Sequence, residues 1–580
     1  MICSHGTKNC RLLGFWTNRL PMDDSGPIDR AENRVAARIS LARSSRSHAT
    51  RHRKHVLIVN CYFDDDSREP RPRVRKLPKA MGPVYLAGAF DPEHCDIRVH
   101  CELYSGPLAD PQLLAWPDML VLTGLTTAFD RMLHLTAYAR TLNKSVVVVA
   151  GGPAIRSLPR YSRRFFDYPC TGDVEQLREV IREVFGAACV AEEMRPRFDL
   201  AYWIGRVGEM ESSRNCNFRC SFCSLTGEGR EYQKYGLEAI RRDILAVGQR
   251  EFLLFIDNNF YGNDRSFFLV RLELLRELWR ANHFNRWSAL VTNEFFLRDD
   301  NLRLAHASGC TALFSGVESF DTAWLQKMNK LQNIRVPQLE MIQKCLDAGM
   351  VFLYGLMLDV TSRSVSDLRA ELEFVLGNSE ITLPSYLSLP VPFPGTPFFQ
   401  ECVAKDLFLP RVALRDLDST TLVLRPHDSF GGVCRFLDDV HSMRGFRHRI
   451  LGQSFGFVRR YRKALTRWQM TIALSSPILL CFYSLATSRG GWSSLRCSAR
   501  QRTYLASTEW LDSTYVPAFP VASRYAHYFQ PTMLTDDSSA LSEELADELL
   551  NSPAKGSANP SLINIAKENQ VTALVASPAD

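Results

Sequence analysis

The most informative stretch of the chain is residues 215–223, Asn215-Cys216-Asn217-Phe218-Arg219-Cys220-Ser221-Phe222-Cys223, in which three cysteines follow the spacing C-x3-C-x2-C. A short loop with three thiolates can hold one iron–sulfur cluster. A four-iron cluster held in this way keeps one iron without a protein ligand, so that iron is open to a small molecule. A zinc knuckle and three free cysteines are the alternatives. A structural zinc site normally has four protein ligands, and no Cys or His follows closely enough to be an obvious fourth.

The composition is that of an ordinary globular protein. The 580 residues are 46% hydrophobic and 23% charged, and this length predicts about three to four domains. The net charge of +7 equals the excess within residues 1–55, which carry eleven Lys and Arg against four Asp and Glu. The remainder is close to neutral, so a broad phosphate-binding face is not indicated and we expect no nucleic-acid partner. We interpret residues 1–54 as a disordered basic tail.

The sixteen cysteines are scattered through the chain, apart from the three in the central loop. This distribution differs from the dense, even framework of a small secreted domain. It favours a reduced, cytoplasmic compartment, which an oxygen-sensitive cluster would also require. The N-terminus has no apolar segment of signal-peptide length, which agrees with that interpretation.

Residues 55–190 alternate short apolar strands with helical segments. The runs predicted as buried parallel strands are residues 56–60, 95–99, 119–123 and 145–150. The alternation indicates a Rossmann-like, doubly wound α/β domain, whose ligands lie beyond the carboxyl ends of the strands. Candidate ligand contacts at these ends are Thr123, Gly124, Thr126, Gly151 and Gly152. No Gly-x-Gly-x-x-Gly follows the first strand, so a dinucleotide is disfavoured.

Residues 200–400 contain about six further strand–helix units, a number that suits a partial (β/α)6 barrel with its chemistry at the carboxyl ends of the strands. Polar or small residues at these ends are Asp257, Asn259, Glu318, Ser319, Gly355 and Asp359. Each of them, taken alone, could equally be an ordinary loop or capping residue. Their order after the cysteine loop makes the set more informative than its members.

The cysteine spacing, with the aromatic Phe222 just before the last cysteine, resembles the signature of the radical S-adenosylmethionine (radical SAM) enzymes. The resemblance implies a [4Fe-4S] cluster on Cys216, Cys220 and Cys223, with S-adenosylmethionine (SAM) chelated to the open iron. It also implies an electron donor such as flavodoxin or ferredoxin. An electron from the cluster would cleave SAM into methionine and a 5′-deoxyadenosyl radical.

The same resemblance implies contacts with SAM at the strand ends. Asp257 and Asn259 lie where relatives bind the amino end of SAM. Glu318 and Ser319 match the fourth-strand motif that contacts SAM in the family. The region of Gly355 and Asp359 borders adenine there, and Phe222 lies beside the cluster in the signature.

Residues 55–190 resemble the cobalamin-binding domain that precedes the radical domain in one large branch of the family. The resemblance implies that cobalamin binds at the strand ends with Thr123, Gly124, Thr126, Gly151 and Gly152. The Asp-x-His-x-x-Gly motif, which supplies a histidine to cobalt in other cobalamin proteins, is absent, so we expect no histidine on cobalt. A Rossmann-like domain without a ligand is the alternative. The resemblance covers roughly residues 55–400 of the chain.

Residues 401–535 are less informative, and we predict a mainly helical accessory domain. A basic stretch at residues 444–467 precedes a run of twenty-one uncharged residues, 468–488. Three interpretations of this run stay open: a buried helical hairpin, a patch on an anionic membrane, and a membrane span. Residues 536–580 are acidic and then polar, which predicts a disordered tail.

Together these features predict a cobalamin-dependent radical SAM methyltransferase that methylates an unactivated carbon of an apolar or specialised small molecule. Cyclisation or rearrangement on the same two cofactors is the first alternative. A non-catalytic cobalamin or redox sensor is the second, and the three intact cysteines argue against it. We expect a cytoplasmic protein, with peripheral membrane contact as an open alternative.

Replacing Cys216, Cys220 or Cys223 singly with Ala should abolish SAM cleavage, because three thiolates are the minimum that leaves one defined open iron. Anaerobic reconstitution of the wild-type chain should give about four irons per chain. Cys310→Ala and Cys345→Ala serve as controls, since both cysteines lie in predicted barrel elements and should be dispensable for the cluster. Wild-type turnover in any variant of the central three would contradict the assignment of that cysteine.

Overall fold

The computed structural model describes residues 53–62, 81–419, 421–442, 445–475 and 515–551. Three predicted segments therefore lie wholly or largely outside the described residues. They are the basic tail up to residue 52, residues 476–488 of the uncharged run, and residues 552–580 of the predicted C-terminal tail.

A five-stranded parallel sheet with the strand order β2-β1-β3-β4-β5 forms the first part of the fold. Its strands are β1 (Lys54–Cys61), β2 (Cys95–Cys101), β3 (Met119–Gly124), β4 (Val147–Gly151) and β5 (Tyr168–Cys170). Its helices are α1 (Gly82–Ala87), α2 (Glu102–Ser105), α3 (Pro111–Ala115), α4 (Phe129–Leu142), α5 (Pro153–Ser157), α6 (Pro159–Ser162) and α7 (Val174–Phe185).

Alternate residues of β1 belong to two different hydrophobic clusters. Val56 and Ile58 pack in one cluster, and Leu57 and Val59 pack in the other. Successive side chains of a strand point to opposite faces, so this sheet is buried on both faces. The doubly wound α/β prediction is thereby confirmed.

A six-stranded parallel sheet with the order β13-β12-β11-β10-β9-β6 forms the second part. Its strands lie side by side in the order in which they occur in the sequence, and β7 and β8 form a separate two-stranded sheet. The strands of this part are β6 (Val207–Met210), the short hairpin β7 (Ser213–Arg214) and β8 (Gln233–Lys234), β9 (Arg250–Phe255), β10 (Phe284–Leu290), β11 (Cys310–Glu318), β12 (Val351–Met357) and β13 (Tyr386–Ser388). The helices are α8 (Ser224–Glu228), α9 (Leu237–Val247), α10 (Arg265–Arg280), α11 (Asp299–His306), α12 (Thr322–Lys327), α13 (Gln338–Asp347), α14 (Val365–Gly377) and α15 (Pro397–Ala404). This is the predicted partial barrel.

The described C-terminal helices are α16 (Phe430–Ser442), α17 (Arg447–Tyr461), α18 (Arg467–Ala473) and α19 (Glu543–Asn551). Helix α18 contains the beginning of the uncharged run and closes the amino-terminal end of the partial barrel. The Trp468 ring lies 5.5 Å from that of Phe252, near the start of β9. The Gln469 side-chain amide donates to the carbonyl oxygens of Thr311 (3.1 Å) and Gly349 (2.6 Å).

These contacts show that residues 468–473 pack against the barrel, as the buried interpretation of the run expects. The remainder of the run from residue 476 lies outside the described residues. Among the helices of the described residues, none is long and apolar enough to cross a membrane.

The prediction of a disordered tail from residue 536 is wrong for residues 536–551, which include helix α19. The Glu548 carboxylate accepts hydrogen bonds from the backbone N–H groups of Arg160 (2.7 Å) and Tyr161 (2.9 Å) in α6. The first N–H groups of a helix have no partner within the helix, so a carboxylate there is stabilising. Local composition could not reveal this partner, because it lies almost 390 residues earlier in the chain.

Candidate functional site

The cysteine loop joins β7 to α8 and is held by contacts from two other segments of the barrel. Asn215 enters it in a left-handed conformation with φ of 61°, which Asn tolerates better than most residues. The Ser221 N–H and hydroxyl both donate to the Met328 carbonyl at 3.0 Å. The Asn259 side-chain amide donates to Asn217 Oδ1 at 2.7 Å. Asn259 is itself fully buried and supports the loop from the segment after β9, and its contact with SAM stays a prediction.

The three thiols of the loop lie close enough to interact electrostatically. Burial and the neighbouring Cys220 raise the pKa of Cys223 to about 12, and burial raises the pKa of Cys216. The Gln332 side-chain amide donates to Cys220 Sγ at 3.3 Å. Within the ranges that the structure describes, no three His, Cys, Asp or Glu side chains converge to hold a single metal ion. In an iron–sulfur cluster each thiolate binds a different iron, so the three cysteines need not converge on one metal ion. Coordination to iron would also deprotonate these buried thiols in spite of their raised pKa.

A buried ion pair lies beside these thiols. Lys330 Nζ is 2.7 Å from Glu318 Oε1, and both side chains are about one-tenth exposed. Burial opposes the charge on Lys330, but Glu318 and then Cys220 outweigh it and raise the pKa of the ammonium. Lys330 Nζ also lies 5.6 Å from the centre of the Phe222 ring, whose other neighbour is Trp324. The positive charge therefore faces the place where a negatively charged cluster would sit.

Glu318 has an unusual backbone conformation with φ of 62°. Such a conformation in a residue other than Gly costs about 1–3 kcal/mol and is common at functional sites. The alternative role of Glu318 as a helix cap is wrong. Helix α12 is capped by Asp321, whose Oδ1 accepts from the N–H groups of Ala323 and Trp324.

Asp257 does not reach the barrel mouth, contrary to its predicted contact with SAM. Its side chain is fully buried and accepts hydrogen bonds from the Ser212 N–H (3.0 Å), the Ser212 hydroxyl (2.8 Å) and the Ser213 hydroxyl. Arg271, also fully buried, donates to the Ser212 hydroxyl at 2.8 Å. Buried charges need such partners, so Asp257 anchors the segment that leads into the cysteine loop.

Ser319 and Asp359 are also committed to contacts within the protein and are fully buried. The Ser319 hydroxyl donates to Glu371 Oε1 at 2.6 Å, and Asp359 accepts from Trp324 Nε1 at 2.8 Å. We therefore replace the predicted direct contact of these two side chains with a ligand by a supporting role within the protein. Gly355 lies under the Tyr386 ring, where an added Cβ would come within 2.4 Å of ring carbons. Only Gly allows this aromatic ring to lie across β12.

A cleft of about 280 Å³ lies between the carboxyl ends of the five-stranded sheet and the beginning of the cysteine loop. From the sheet it is lined by the predicted residues Thr123, Gly151 and Gly152. From the barrel it is lined by Glu211, Arg214, Asn215, Leu225, Ile256 and Asn258. One continuous space thus connects the strand ends of the first sheet with the residue that precedes Cys216.

Gly124 and Thr126 do not line this cleft. An added Cβ on Gly124 would come within 2.7 Å of the Cys61 carbonyl oxygen, and one on Gly152 within 2.5 Å of the Gly124 carbonyl oxygen. Gly152 also has φ of 111°. These two glycines are therefore required by the close approach of two backbone segments, which is a different reason from the predicted room for a ligand. Thr126 is 4% exposed in the turn before α4.

The barrel side of the cleft carries a carboxyl group whose pKa lies near neutrality. Burial and the nearby Asp257 raise the pKa of Glu211 to about 7. Glu211 Oε2 accepts a hydrogen bond from the Tyr235 hydroxyl at 3.0 Å, and Tyr235 in turn accepts one from Arg214. Arg214 also pairs with Glu175 in α7 of the first part of the fold at 3.0 Å. The polar rim of the cleft is therefore ordered by contacts from both parts of the fold.

Four charged residues connect the two parts of the fold at the far side of the cleft. Arg156 pairs with Glu228 in α8 at 2.5 Å and with Asp173 at 3.2 Å. Arg230 also pairs with Asp173. Because α8 directly follows Cys223, this network fixes the cysteine loop relative to the strand ends of the first sheet.

Comparison with known proteins agrees with this geometry. Residues 210–371 match the family model of the radical SAM superfamily. This part of the chain is a radical SAM domain. The match begins at the end of β6 and ends within α14, so it covers the cysteine loop and most of the partial barrel.

Two curated relatives are methyltransferases by name. One is hopanoid C-2 methylase of Rhodopseudomonas palustris, 24% identical over 299 residues, which span 47% of this chain and 55% of that protein. The other is bacteriochlorophyllide d C-12(1)-methyltransferase of Chlorobaculum tepidum, 27% identical over 197 residues, which span 33% of this chain and 41% of that protein. The chain thus covers about half the length of these relatives.

Among solved structures, the chain is similar in fold to the cobalamin-dependent SAM radical enzyme OxsB with aqua-cobalamin and SAM bound. The TM-score is 0.50 and the identity 15%, with 97% of this chain and 85% of the other covered. At this identity the likeness concerns the fold. It extends over both sheets and not only over the radical SAM domain.

Sequence reasoning missed Lys330, Gln332, Glu211, Arg214 and Trp324. Arg214 directly precedes the cysteine loop, and its position is a signal that could have been used. Lys330 and Gln332 follow Glu318 by 12 and 14 residues, within an irregular segment that no periodicity marks. Their proximity to the thiols arises only when the segment after β11 folds over the cysteine loop.

Glu318→Gln and Lys330→Met should each lower the free energy of unfolding by about 3–5 kcal/mol, because either change leaves a buried charge without its partner. The double variant should recover most of that loss, since neither charge remains. Thermal or denaturant unfolding under anaerobic conditions measures the three values. As a matched control, Glu340→Gln in the exposed pair with Lys344 (2.9 Å) should cost less than about 1 kcal/mol. Additive losses in the double variant would contradict the coupling.

Proposed function

We propose that this protein is a cobalamin-dependent radical SAM methyltransferase that methylates an unactivated carbon of a small apolar molecule. The observation that carries the proposal is the cleft shared by the strand ends of the first sheet and the cysteine loop. A methyl donor bound at the first sheet and a radical generated at the loop would act on one substrate in this space. Cytoplasmic location and an electron donor such as flavodoxin or ferredoxin belong to the same proposal.

The residues of the loop fit a [4Fe-4S] cluster with SAM on its open iron. Cys216, Cys220 and Cys223 supply three sulfur ligands, and when bound the cluster provides the electron that cleaves SAM to a 5′-deoxyadenosyl radical. Gln332 donates to the Cys220 sulfur and would thereby help to set the reduction potential, as hydrogen bonds to cluster sulfurs do. Lys330 offers a buried ammonium beside the loop, where it would attract the SAM carboxylate.

The first sheet fits cobalamin at its carboxyl edge. Thr123, Gly151 and Gly152 line the cleft, and an added Cβ on Gly151 would meet no atom closer than 3.7 Å. When bound, cobalamin supplies the transferable methyl group. Glu211 and Asn258 present polar groups from the opposite wall, where they would orient the ligand and the substrate. The ion pairs of Arg156 would keep the two walls at a constant separation during turnover.

The substrate class rests on the relatives and on the accessible aromatic surface at the barrel mouth. The two named relatives act, by their names, on a hopanoid and on a bacteriochlorophyllide. Both are large molecules built on several rings, with extended apolar surface. In this chain the Tyr386 ring is 40% exposed and stacks against Phe314, with ring centres 6.0 Å apart. A flat apolar substrate would find an aromatic surface there.

The variant Glu318→Gln/Lys330→Met removes both charges, so it should keep most of the protein's stability. It therefore tests the contribution of this pair to SAM binding separately from its contribution to stability. We expect unchanged iron content and cobalamin spectrum, with SAM affinity reduced about ten- to hundredfold, as for loss of a charge-assisted hydrogen bond. Titration of SAM against reconstituted protein gives the value. Wild-type affinity in the double variant would exclude these two residues from SAM binding.

The reaction is tested by incubating the anaerobically reconstituted chain with SAM, cobalamin, a low-potential reductant and polycyclic apolar substrates. We expect 5′-deoxyadenosine and S-adenosylhomocysteine to form together with a substrate heavier by one methylene unit, measured by mass spectrometry. Cys216→Ala is the control and should yield none of the three. Formation of 5′-deoxyadenosine without S-adenosylhomocysteine would instead favour cyclisation or rearrangement. If neither product forms, the protein would be a sensor.

A further inference from the structure

Helix α17 (Arg447–Tyr461) has one face buried in the protein and an opposite face that exposes two large apolar side chains. The buried residues are Ile450, Gln453, Phe457 and Tyr461. On the outward face, Phe455 is 74% exposed and Leu451 56% exposed. They are four residues apart, so their side chains are neighbours on the helix surface. Apolar patches rimmed by polar residues are typical of surfaces that contact another body, so the charges around this pair decide its interpretation.

Two arginines on the flank of α17 pair with carboxylates, Arg449 with Glu373 at 3.0 Å and Arg460 with Glu380 at 2.7 Å. The charges beside Leu451 and Phe455 that have no such partner are all positive. Arg459, Arg462 and Lys463 are exposed, and among the described residues none of them has a carboxylate within ion-pairing distance. Residues 440–508 of the sequence contain eleven Arg and one Lys but no Asp or Glu. Helical spacing places His448, Arg459 and Arg462 on the same outward face as Phe455. The apolar pair is therefore surrounded by basic groups, which fits a negatively charged partner.

The position of α17 argues against an acidic electron-donor protein as that partner. Gln453 donates to the Ile381 carbonyl at 2.7 Å, and the Tyr461 hydroxyl donates to the Glu380 carbonyl at 2.8 Å. Both carbonyls precede β13, so α17 lies toward the amino-terminal end of the barrel. The cysteine loop lies at the carboxyl end, one strand length away, which is about 20 Å for a strand of six or seven residues. An electron donor bound at α17 would be badly placed to reach the loop.

We propose that the outward face of α17 binds the anionic surface of a lipid bilayer. Leu451 and Phe455 would enter the boundary between headgroups and acyl chains, while Arg459, Arg462 and Lys463 contact the lipid phosphates. The proposal is independent of the reaction, because none of these residues lies at the cysteine loop or the cleft. Its consequence for the reaction is that the enzyme would work where apolar molecules concentrate.

Vesicle flotation of the full-length, reconstituted protein tests the proposal. We expect binding to vesicles of phosphatidylcholine with phosphatidylglycerol and little binding to phosphatidylcholine alone, with a loss of binding as salt is raised. Leu451→Ser/Phe455→Ser and Arg459→Gln/Arg462→Gln should each reduce the partition coefficient about tenfold or more, because each removes one of the two contributions to interfacial binding.

The matched control is Leu269→Ser/Val270→Ser, which changes two exposed apolar residues of α10 (39% and 47% exposed) and should leave vesicle binding unchanged. Iron content and melting temperature confirm that every variant is folded. Three outcomes would overturn the proposal. They are no binding to anionic vesicles, binding equal in the α17 variants and the wild type, and a lowered melting temperature in Leu451→Ser/Phe455→Ser without altered binding. The last result would mean that another part of the chain covers this face.

Discussion

The cysteine loop depends on a carboxylate that lies behind it. Asp257, at the end of β9, accepts hydrogen bonds from Ser212 and Ser213, the two residues before Arg214. Arg271 from α10 completes the arrangement by donating to Ser212 and by lying 3.5 Å from the centre of the Phe260 ring. A charge in a fully buried position is tolerated only with such partners. The same requirement therefore fixes the direction in which the chain leaves β6 and enters the loop.

Ion pairs that are largely shielded from water also fix the position of the first sheet relative to the barrel. Arg156 in α5 and Asp173 just before α7 belong to the first part of the fold, and Glu228 and Arg230 follow the cysteine loop. Their ion pairs are largely shielded from water, so they are stronger and more directional than surface pairs. They hold the loop against the edge where Thr123 and Gly151 line the cleft. The cleft is thus a product of the interface and belongs to neither sheet alone.

The two ends of the partial barrel have different roles. The carboxyl end carries the thiols, the pair Glu318–Lys330 and the exposed ring of Tyr386. The amino end is closed by α18, whose Gln469 donates to the backbone carbonyls of Thr311 and Gly349. Helix α17 flanks this closed end with its basic and apolar face. The site of the proposed chemistry and the proposed membrane-binding face are therefore separated by about the length of a strand.

The sequence by itself determined the features that depend on local spacing. The three cysteines lie within eight consecutive residues, so their common loop was predictable. The apolar runs of β1, β3 and β4 mark buried strands because both faces of such strands are covered. Only the tertiary structure decided which polar residues face the site. Asp257, Ser319 and Asp359 lie at strand ends as predicted, yet they satisfy buried donors, whereas Lys330 and Glu211 reach the site from segments without a recognisable pattern. The physical reason is that a carboxylate at a strand end can point to the ligand or to the protein, and the choice depends on partners far away in the chain. The same reason explains the order of residues 536–551, whose carboxylates bind the start of α6 almost 390 residues away.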